Sequence, residues 1–251
     1  MTVGSESYLV EVRRLMDQVG HAQATAVGEA ADLIVASLIA DGVVQAFGSG
    51  HSEALAMEIA GRAGGLVPSN KLAVRDLVMY GGEPVDTLKD NKLEREPWVA
   101  RRIYELAPVR PQDAFVIASN SGVNGCVVEL ASLVKQRGHD LIAVTSVAQS
   151  AKLPSRHPSG RRLAELADVV LDNAAPYGDA ALPLPGDTGS VCAVSSITGA
   201  LLAQMLTAEV VRRLLEAGHT PPVYLSANVP GGDEHNEALE SRYAGRIRRT
   251  A

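Results

Sequence analysis

The segment 114–124, AFVIASNSGVN, decides the fold. Its first five residues, AFVIA, form a short apolar run with β-branched members, which is typical of a buried strand. The polar turn SNSG at 119–122 follows, and an amphipathic helix is predicted over about 124–137, ended by Gly138. A strand, a glycine-containing turn and a helix form one unit of an α/β fold.

The same unit occurs earlier in the chain. The apolar run VVQAF at 43–47 precedes the turn GSGHS at 48–52, and a helix is predicted over about 53–63. Further strands are predicted at 141–145, 168–172 and 223–225. Because continuous apolar strands alternate with helices, we predict an α/β fold with a doubly wound, mainly parallel five-stranded sheet and helices on both faces.

The remaining segments complete a single domain over 1–251. Apolar residues at helical spacing predict an N-terminal helical arm over 1–41, in which Gly20 and Gly28 suggest a break or a bend. The α/β core spans 42–225 and contains a long apolar helix over about 190–217. A C-terminal polar loop and a frayed basic end are predicted over 226–251. The polar, weakly patterned stretch 81–113 suggests a lid or a subunit contact. It carries Asn91, Glu94 and Trp98.

Composition excludes several classes of protein. A net charge of -6 and 4% aromatic residues are unfavourable for binding nucleic acid. The N-terminus has no leader pattern and no apolar run is long enough for a membrane span, so we expect a cytoplasmic protein without a membrane partner. Cys126 and Cys192 do not form a metal-ligand pattern and are expected to be buried thiols. No metal and no organic cofactor is predicted.

The turn after the strand at 114–118 has the features of a phosphate cradle. Helix N-termini offer free backbone N–H groups and a partial positive charge, which attract anions. Serine hydroxyls and a glycine that permits close approach suit a phosphate monoester, whereas a G-K-[ST] ending for a triphosphate is missing. The predicted binding residues are Ser119, Asn120, Ser121, Gly122 and Asn124. The alternative is simple N-capping of the helix by Asn124 or Ser121.

The turn GSGHS invites comparison with the dinucleotide fingerprint G-x-G-x-x-G. Glu53 stands where the third glycine would be, so a nicotinamide cofactor is not expected. An ordinary tight turn is the alternative. Since the carboxyl ends of parallel strands meet at one edge, this turn should converge with the turn at 119–122, and we predict that Gly50 and Ser52 also bind the ligand.

These motifs resemble the SIS (sugar isomerase) domain. The units strand-GSGHS-helix and strand-SNSG-helix, the segment LIAVTS and the run from Leu163 to Leu171 are similar to that family in order and role, over about 30–215. The family's phosphate loop usually reads S-x-S-G-x-[ST], and Asn124 replaces the last hydroxyl. The resemblance implies a flavodoxin-like fold and a sugar-phosphate ligand. With its SANVPGGDEHN tail, the chain looks like an uncharacterised single-domain subgroup, similar to the phosphoheptose isomerase and N-acetylmuramic acid 6-phosphate etherase branches.

The phosphoheptose isomerase branch suggests catalytic residues. There a glutamate two residues before Thr-Gly-Arg is the base, and Glu58 precedes Ile-Ala-Gly-Arg, so it inherits that role by resemblance. The histidine that this branch uses on a C-terminal helix has no counterpart in the helix over 190–217. We therefore nominate His235, supplied by a neighbouring subunit, and His51 for proton transfer during ring opening.

Each of these candidates also has a simpler interpretation. Glu58 could form a surface pair with Arg62 at i, i+4. His51 could be a turn residue and His235 a solvated loop residue. The general acid stays open among Glu94, Glu234 and Glu237. Four other histidines are interpreted as surface or loop residues: His21, His139, His157 and His219.

Three functions are compatible with the sequence. The first is an enzyme that removes the C2 proton of an amino-sugar or sugar 6-phosphate, acting as a dehydratase (lyase) or as an aldose–ketose isomerase. The second is a non-catalytic sugar-phosphate sensor or regulator. The third is a helix-rich oligomer with a vestigial pocket. Wide apolar faces on the arm and on the long helix predict a homodimer or homotetramer.

Overall fold

A computed structural model describes residues 3–90 and 92–248. Parallel strands form a five-stranded sheet in the order β2-β1-β3-β4-β5 within this part of the chain. These strands are β1 (Val44–Gly48), β2 (Ser69–Leu72), β3 (Ala114–Ala118), β4 (Leu141–Thr145) and β5 (Val169–Asp172). The order is that of a flavodoxin-like doubly wound fold, and the α/β prediction is confirmed.

Helices cover both faces of the sheet. The first face carries α2 (Ala24–Ile39), α3 (Glu53–Ile59) and α8 (Ser195–Glu216), which pack on alternate strand residues such as Val116 and Ile142. The second face carries α4 (Asp76–Met79), α5 (Pro97–Leu106) and α6 (Gly125–Gln136), which pack on Phe115 and Ile117. Because side chains alternate along each strand, a strand buried on both faces reads as a continuous apolar run.

The N-terminal arm is two helices, α1 (Ser5–Ala22) and α2, that meet at Gln23. The predicted break in the arm exists, but it lies at Gln23 and not at Gly20 or Gly28, which are both inside helices. Among the described residues, no single helix is long and apolar enough to cross a membrane. Only α1 and α2 taken together have the length and composition of a membrane span, and they are bent by 61° where they meet.

The edge strand β2 was not predicted. Its sequence, SNKL, lacks an apolar pattern. Asn70 is nevertheless buried, because its side chain donates a hydrogen bond to Gln45 on the neighbouring strand. The predicted strand at 223–225 is wrong, since only Val223 forms an isolated antiparallel bridge, with Leu66. β2 takes the place of that strand in the sheet.

The described residues of the polar, weakly patterned stretch 81–113 form 3₁₀ turns and a helix. Two 3₁₀ turns, Val85–Lys89 and Leu93–Arg95, lead into α5, whose buried face packs on α6. Asn91 lies outside the described residues. The long helix is shorter than predicted, because a hairpin of β6 (Ala180–Pro183) and β7 (Ser190–Ala193) precedes it.

The C-terminal prediction of a polar loop with a frayed end is also wrong. A helix, α9 (Gly232–Ser241), forms in the tail. Arg246 is buried and pairs with the fully buried carboxylate of Asp113 at 2.6 Å. This ion pair holds the chain end against the sheet as far as the described residues go, and Arg249 lies outside them.

Two further expectations need correction. His139 is buried rather than exposed, and its ring bonds to Tyr104 Oη and to the Asp113 carbonyl. Burial lowers the pKa of His139, which favours the neutral ring. Cys126 is buried as predicted, whereas Cys192 is only half-buried in β7. The remaining α-helix of the described residues is the short α7 (Val147–Ser150).

Candidate functional site

A polar cleft lies at the carboxyl edge of the sheet. It encloses about 310 Å³ of empty space, including the solvent at its open mouth. Its walls come from the turns after β1 and β3, the ends of β4 and β5, and the start of α8. The lining residues are His51, Ser52, Leu55, Ala118, Ser119, Asn120, Val144, Asn173, Ser195, Ser196 and Gly199. Strand order reverses between β1 and β3, and doubly wound folds bind ligands at such a point.

The turn after β1 places two predicted residues in this cleft. Gly50 has a φ of +57° and begins a 3₁₀ turn, Gly50–Ser52, that leads directly into α3. A Cβ on Gly48 would collide with the Ser52 carbonyl, so the turn requires glycine there. His51 and Ser52 line the cleft. Ser52 is the N-cap residue of α3, yet its side chain makes no capping bond, which leaves the hydroxyl for a ligand.

The turn after β3 is held in shape by its own polar groups. The Ser119 hydroxyl accepts a hydrogen bond from the Gly122 N–H at 3.1 Å. The Asn120 amide donates to Gln149 Oε1 and accepts from Asn173 Nδ2, both at 3.0 Å. Ser119 and Asn120 line the cleft, whereas Ser121 and Gly122 lie beside it.

Asn124 behaves differently from the expected helix cap. It is the N-cap residue of α6, but its side chain makes no capping bond, so the simple capping alternative is wrong for this residue. Its Nδ2 donates to Glu94 Oε1 at 2.8 Å, and its Oδ1 accepts from Arg156 Nη1 at 2.9 Å. The amide is therefore committed to two side chains from distant segments.

The start of α8 adds a wall that the sequence did not predict. Asp179 accepts hydrogen bonds from the backbone N–H and the hydroxyl of Ser195, at 2.8 and 2.6 Å. This carboxylate caps α8 from across the β6–β7 hairpin and fixes Ser195 and Ser196 in the cleft. Asn173 was also missed, although a polar residue directly after a buried strand was the available signal.

Glu58 lies on α3 beyond the part of the helix that borders the cleft. It is six residues beyond Ser52, about 9 Å along the helix axis. Its Oε1 pairs with Arg62 and accepts from Gln204 Nε2 at 2.7 Å, and it is absent from the lining residues. The predicted surface pair with Arg62 therefore exists.

His235 is not brought to the cleft within one chain. It lies in α9 rather than in a loop, and its Nε2 contacts the Val223 carbonyl at 3.0 Å. Val223 bridges to Leu66, ahead of β2, so α9 sits near the amino ends of the strands. Glu234 and Glu237 belong to the same helix, whereas Glu94 lies beside the two glycine turns.

The cleft has little formal charge. Its lining residues include no lysine, arginine or carboxylate, so a bound anion would rely on hydroxyls, amides and helix N-termini. Cys126 lies buried at the start of α6. Burial raises the pKa of its thiol, and the charges of Glu94 and Glu129 raise it further, which disfavours the nucleophilic thiolate.

A larger concavity of about 900 Å³ lies on the α5–α6 side of the molecule. Its walls are helix and loop side chains such as Arg101, Arg137 and Glu105, and no strand ends there. The smaller cleft is the candidate site because, within the part of the chain that the structure describes, glycine turns, helix starts and polar strand ends converge on it.

The chain belongs to the SIS domain family, whose profile matches residues 7–146. UPF0309 protein lmo0025 from Listeria monocytogenes is 42% identical over 96% of this chain and 97% of its own length. UPF0309 protein TTE0306 from Caldanaerobacter subterraneus is 36% identical over 96% of this chain and 98% of its own. The predicted family resemblance is confirmed.

Two solved structures share the fold. Phosphoheptose isomerase GmhA from Neisseria gonorrhoeae has a TM-score of 0.53 at 20% identity and covers 81% of this chain and 95% of its own. A phosphoheptose isomerase from Francisella tularensis has a TM-score of 0.57 at 16% identity, over 82% of this chain and 96% of its own.

Proposed function

We propose that this protein binds a sugar phosphate in the cleft and removes the proton from its C2 carbon. The reaction is either dehydration of an amino-sugar or sugar 6-phosphate or aldose–ketose isomerisation. The observation that carries this proposal is the convergence of Ser52, Ser119 and Asn120, from two separate turns, with the start of α8 at the switch point of the sheet. The SIS family and the phosphoheptose isomerases of the same fold support a sugar-phosphate ligand.

The turn at 119–122 is proposed to hold the phosphate. Gly122 has a φ of +65°, and this conformation turns the chain into the start of α6. Backbone N–H groups at that start, together with the hydroxyls of Ser119, Ser121 and Ser52, would surround the phosphate oxygens. Gly50 would allow the ligand to approach the backbone of the first turn.

Glu58 is proposed to be the C2 base. In an open-chain sugar 6-phosphate, C2 lies near the end of the chain opposite the phosphate. A base removed from the phosphate turn, along α3, is compatible with that geometry. Arg62 and Gln204 would then hold the carboxylate in position.

Histidines are proposed to open the sugar ring. His51 stands in the cleft wall, where it could transfer a proton to the ring oxygen. In its own chain, His235 lies near the opposite edge of the sheet, so it could transfer a proton in the cleft only if a neighbouring subunit supplies it.

Proton NMR in D2O tests this function. The pure protein is mixed with N-acetylglucosamine 6-phosphate and with related sugar phosphates, while the C2 proton is followed. Loss of that signal with a new vinyl signal identifies an eliminating enzyme, and loss with a ketose product identifies an isomerase. Absence of exchange and of product across the panel contradicts the proposed enzyme.

Replacing Glu58 by Gln tests the base. We expect kcat to fall by at least about 100-fold while affinity for the sugar phosphate is kept, because the amide cannot accept the C2 proton. Glu216→Gln is the matched control, since Glu216 pairs with Arg212 at i, i+4 on the surface of α8. Equal activity of the two variants would assign Glu58 to a helix-surface pair worth a few tenths of a kcal/mol.

A non-catalytic sensor is the second candidate, favoured by one observation. The cleft is lined by hydroxyls, amides and one histidine, without a carboxylate in direct contact. Saturable binding in a calorimetric titration, together with an unchanged C2 proton for every ligand that binds, would support the sensor.

A further inference from the structure

Glu94 stands between the two glycine turns of the cleft. It belongs to the 3₁₀ turn Leu93–Arg95, which is anchored by the buried side chain of Leu93. A Cβ on Gly125 would collide with the Arg95 carbonyl, so this turn lies directly against the start of α6. The position of Glu94 relative to the phosphate turn is therefore fixed by backbone packing.

The two carboxylate oxygens of Glu94 face different partners. Oε1 accepts a hydrogen bond from Asn124 Nδ2 at 2.8 Å. Oε2 lies 3.5 Å from the point where a Cβ on Gly50 would be, and His51, the next residue, lines the cleft. The carboxyl group thus spans the gap between the turns that follow the adjacent strands β1 and β3.

Its charge is not paired in the described part of the chain. No lysine, arginine or histidine described in the structure forms an ion pair with Glu94, whereas Glu58 pairs with Arg62 and Glu53 with Lys71. One oxygen is held by a neutral amide and the other is uncommitted. A carboxyl group in that state can carry a proton on Oε2 and deliver it to a ligand in the cleft.

Asn124 is itself held in one orientation. Its Oδ1 accepts from Arg156 Nη1 at 2.9 Å, and the Arg156 N–H donates to the Val123 carbonyl at 2.9 Å. Because Arg156 occupies the amide oxygen, the NH₂ group of Asn124 must face Glu94. At this position, where the family's loop usually has serine or threonine, the amide donates from one atom and accepts at another, and so it bridges these two side chains.

We propose that Glu94 is a second proton-transfer residue of the cleft, oriented by Asn124 and Arg156. This role rests on the proposed function, with a separate base acting at C2. In an elimination, the base takes the C2 proton and the electron pair of that bond forms an enolate with the C1 carbonyl. The C1 carbonyl then re-forms as the C2–C3 double bond forms, the C3–O bond breaks with its electron pair on oxygen, and Glu94 gives its proton to the departing oxygen. The base then releases the C2 proton to water, and Glu94, left as a carboxylate, takes up a proton from water.

In an isomerisation, the same group would move a proton between the oxygens on C1 and C2. Oε1 stays with Asn124 in either reaction, and Oε2 exchanges the proton. The two reactions therefore require the same residue in the same orientation.

Replacing Glu94 by Gln tests this role, with Glu96→Gln as the matched control. The Gln side chain keeps an oxygen for Asn124 but cannot donate a carboxyl proton, and Glu96 is an exposed neighbour without a side-chain capping bond. We expect product formation to fall at least about 100-fold in Glu94→Gln, with affinity for the sugar phosphate and melting temperature close to those of Glu96→Gln. The alkaline limb of kcat against pH should disappear in Glu94→Gln alone.

The outcomes separate this proposal from the function on which it rests. If wild-type protein forms product and Glu94→Gln forms it as fast as Glu96→Gln, the role of Glu94 is overturned while the proposed function stands. If wild-type protein neither exchanges the C2 proton nor forms product on any sugar phosphate, both are overturned. Asn124→Ala should lower kcat and shift its pH profile, and adding it to Glu94→Gln should lower kcat no further, which a contact that only supports the fold would not do.

Discussion

At the scale of the residue, Gly122 shows how the candidate phosphate turn depends on one missing side chain. Its φ of +65° lies in the left-handed region, where an L-residue is strained. A Cβ there would also lie 3.2 Å from both Ser150 Oγ and Thr145 Oγ1, closer than ordinary contacts. Glycine is therefore required at this position for two reasons, which are the positive φ and the lack of space for a Cβ.

Gly122→Ala should lower stability and weaken binding of a sugar phosphate. The left-handed backbone alone costs about 1–2 kcal/mol, and crowding against Ser150 and Thr145 adds to it by displacing the turn. Gly160→Ala is the control, because Gly160 has a φ of +71° and an open surrounding. Urea unfolding and calorimetric titration of both variants measure the difference. Equal affinity in the two variants would contradict a role of this turn in binding.

At the scale of the element, the connection between β4 and β5 supports the phosphate turn from outside. Its backbone donates from Arg156 to the Val123 carbonyl and from Leu163 to the Gly122 carbonyl, both at 2.9 Å. His157 fastens this connection to α6 by a 2.7 Å contact with Glu129, whose other oxygen accepts from Arg101 at 2.6 Å. The support thus depends on one nearly buried carboxylate.

The stability that Glu129 gives to the connection between β4 and β5 should decrease at acidic pH. Burial raises the pKa of Glu129, but the hydrogen bonds and charges of Arg101 and His157 outweigh it, and the net pKa is lowered. A carboxyl group whose pKa is lower in the folded state contributes stability above its unfolded pKa. That contribution is lost as pH falls through the folded pKa.

Glu129→Ala should therefore cost about 1–3 kcal/mol near neutral pH, by leaving His157 and Arg101 without their acceptor. The difference from wild type should shrink at about pH 4 and below, where wild type loses the same contribution. Urea unfolding at both pH values measures it. Glu105→Ala, at an exposed glutamate of α5, is the control. A loss of stability that does not change with pH would rule out this linkage.

At the scale of the whole molecule, the described chain packs around one sheet. Helix α2 of the N-terminal arm shares a core with α8, and Arg246 near the other end is buried against Asp113. We propose on this ground that residues 1–251 form a single domain, in which the arm and the tail are parts of the core packing.

Subunit association is a prediction at this scale. Five of the twelve apolar residues of α8 are buried within the chain, so part of the apolar face expected from sequence packs inside the subunit. Helix α1, in contrast, exposes Leu9 by 47% and Val10 by 60%. We expect sedimentation at micromolar concentration to show a dimer or tetramer, and Val10→Glu to shift it toward monomer. Val147→Glu, at an exposed residue of α7, should have no effect. A monomeric wild-type protein would contradict the prediction.

The sequence by itself determined the strand-turn-helix units, the family and the two turns that form the cleft. These features are local, because apolar runs, glycines and serines act within a few residues. It did not reveal β2, whose polar Asn70 is satisfied only by Gln45 on another strand. It did not reveal the hairpin of β6 and β7, because β7 falls at the start of the segment predicted as the long helix.

Only the tertiary structure decided which polar groups meet. It joined Glu94, Asn124 and Arg156, set Asp179 at the start of α8, and moved His235 away from the cleft of its own chain. These contacts connect residues separated by 12 or more positions, so no local pattern encodes them. They arise because strands with distant positions in the chain end at the same edge of the sheet, where their polar groups must find partners or face the ligand.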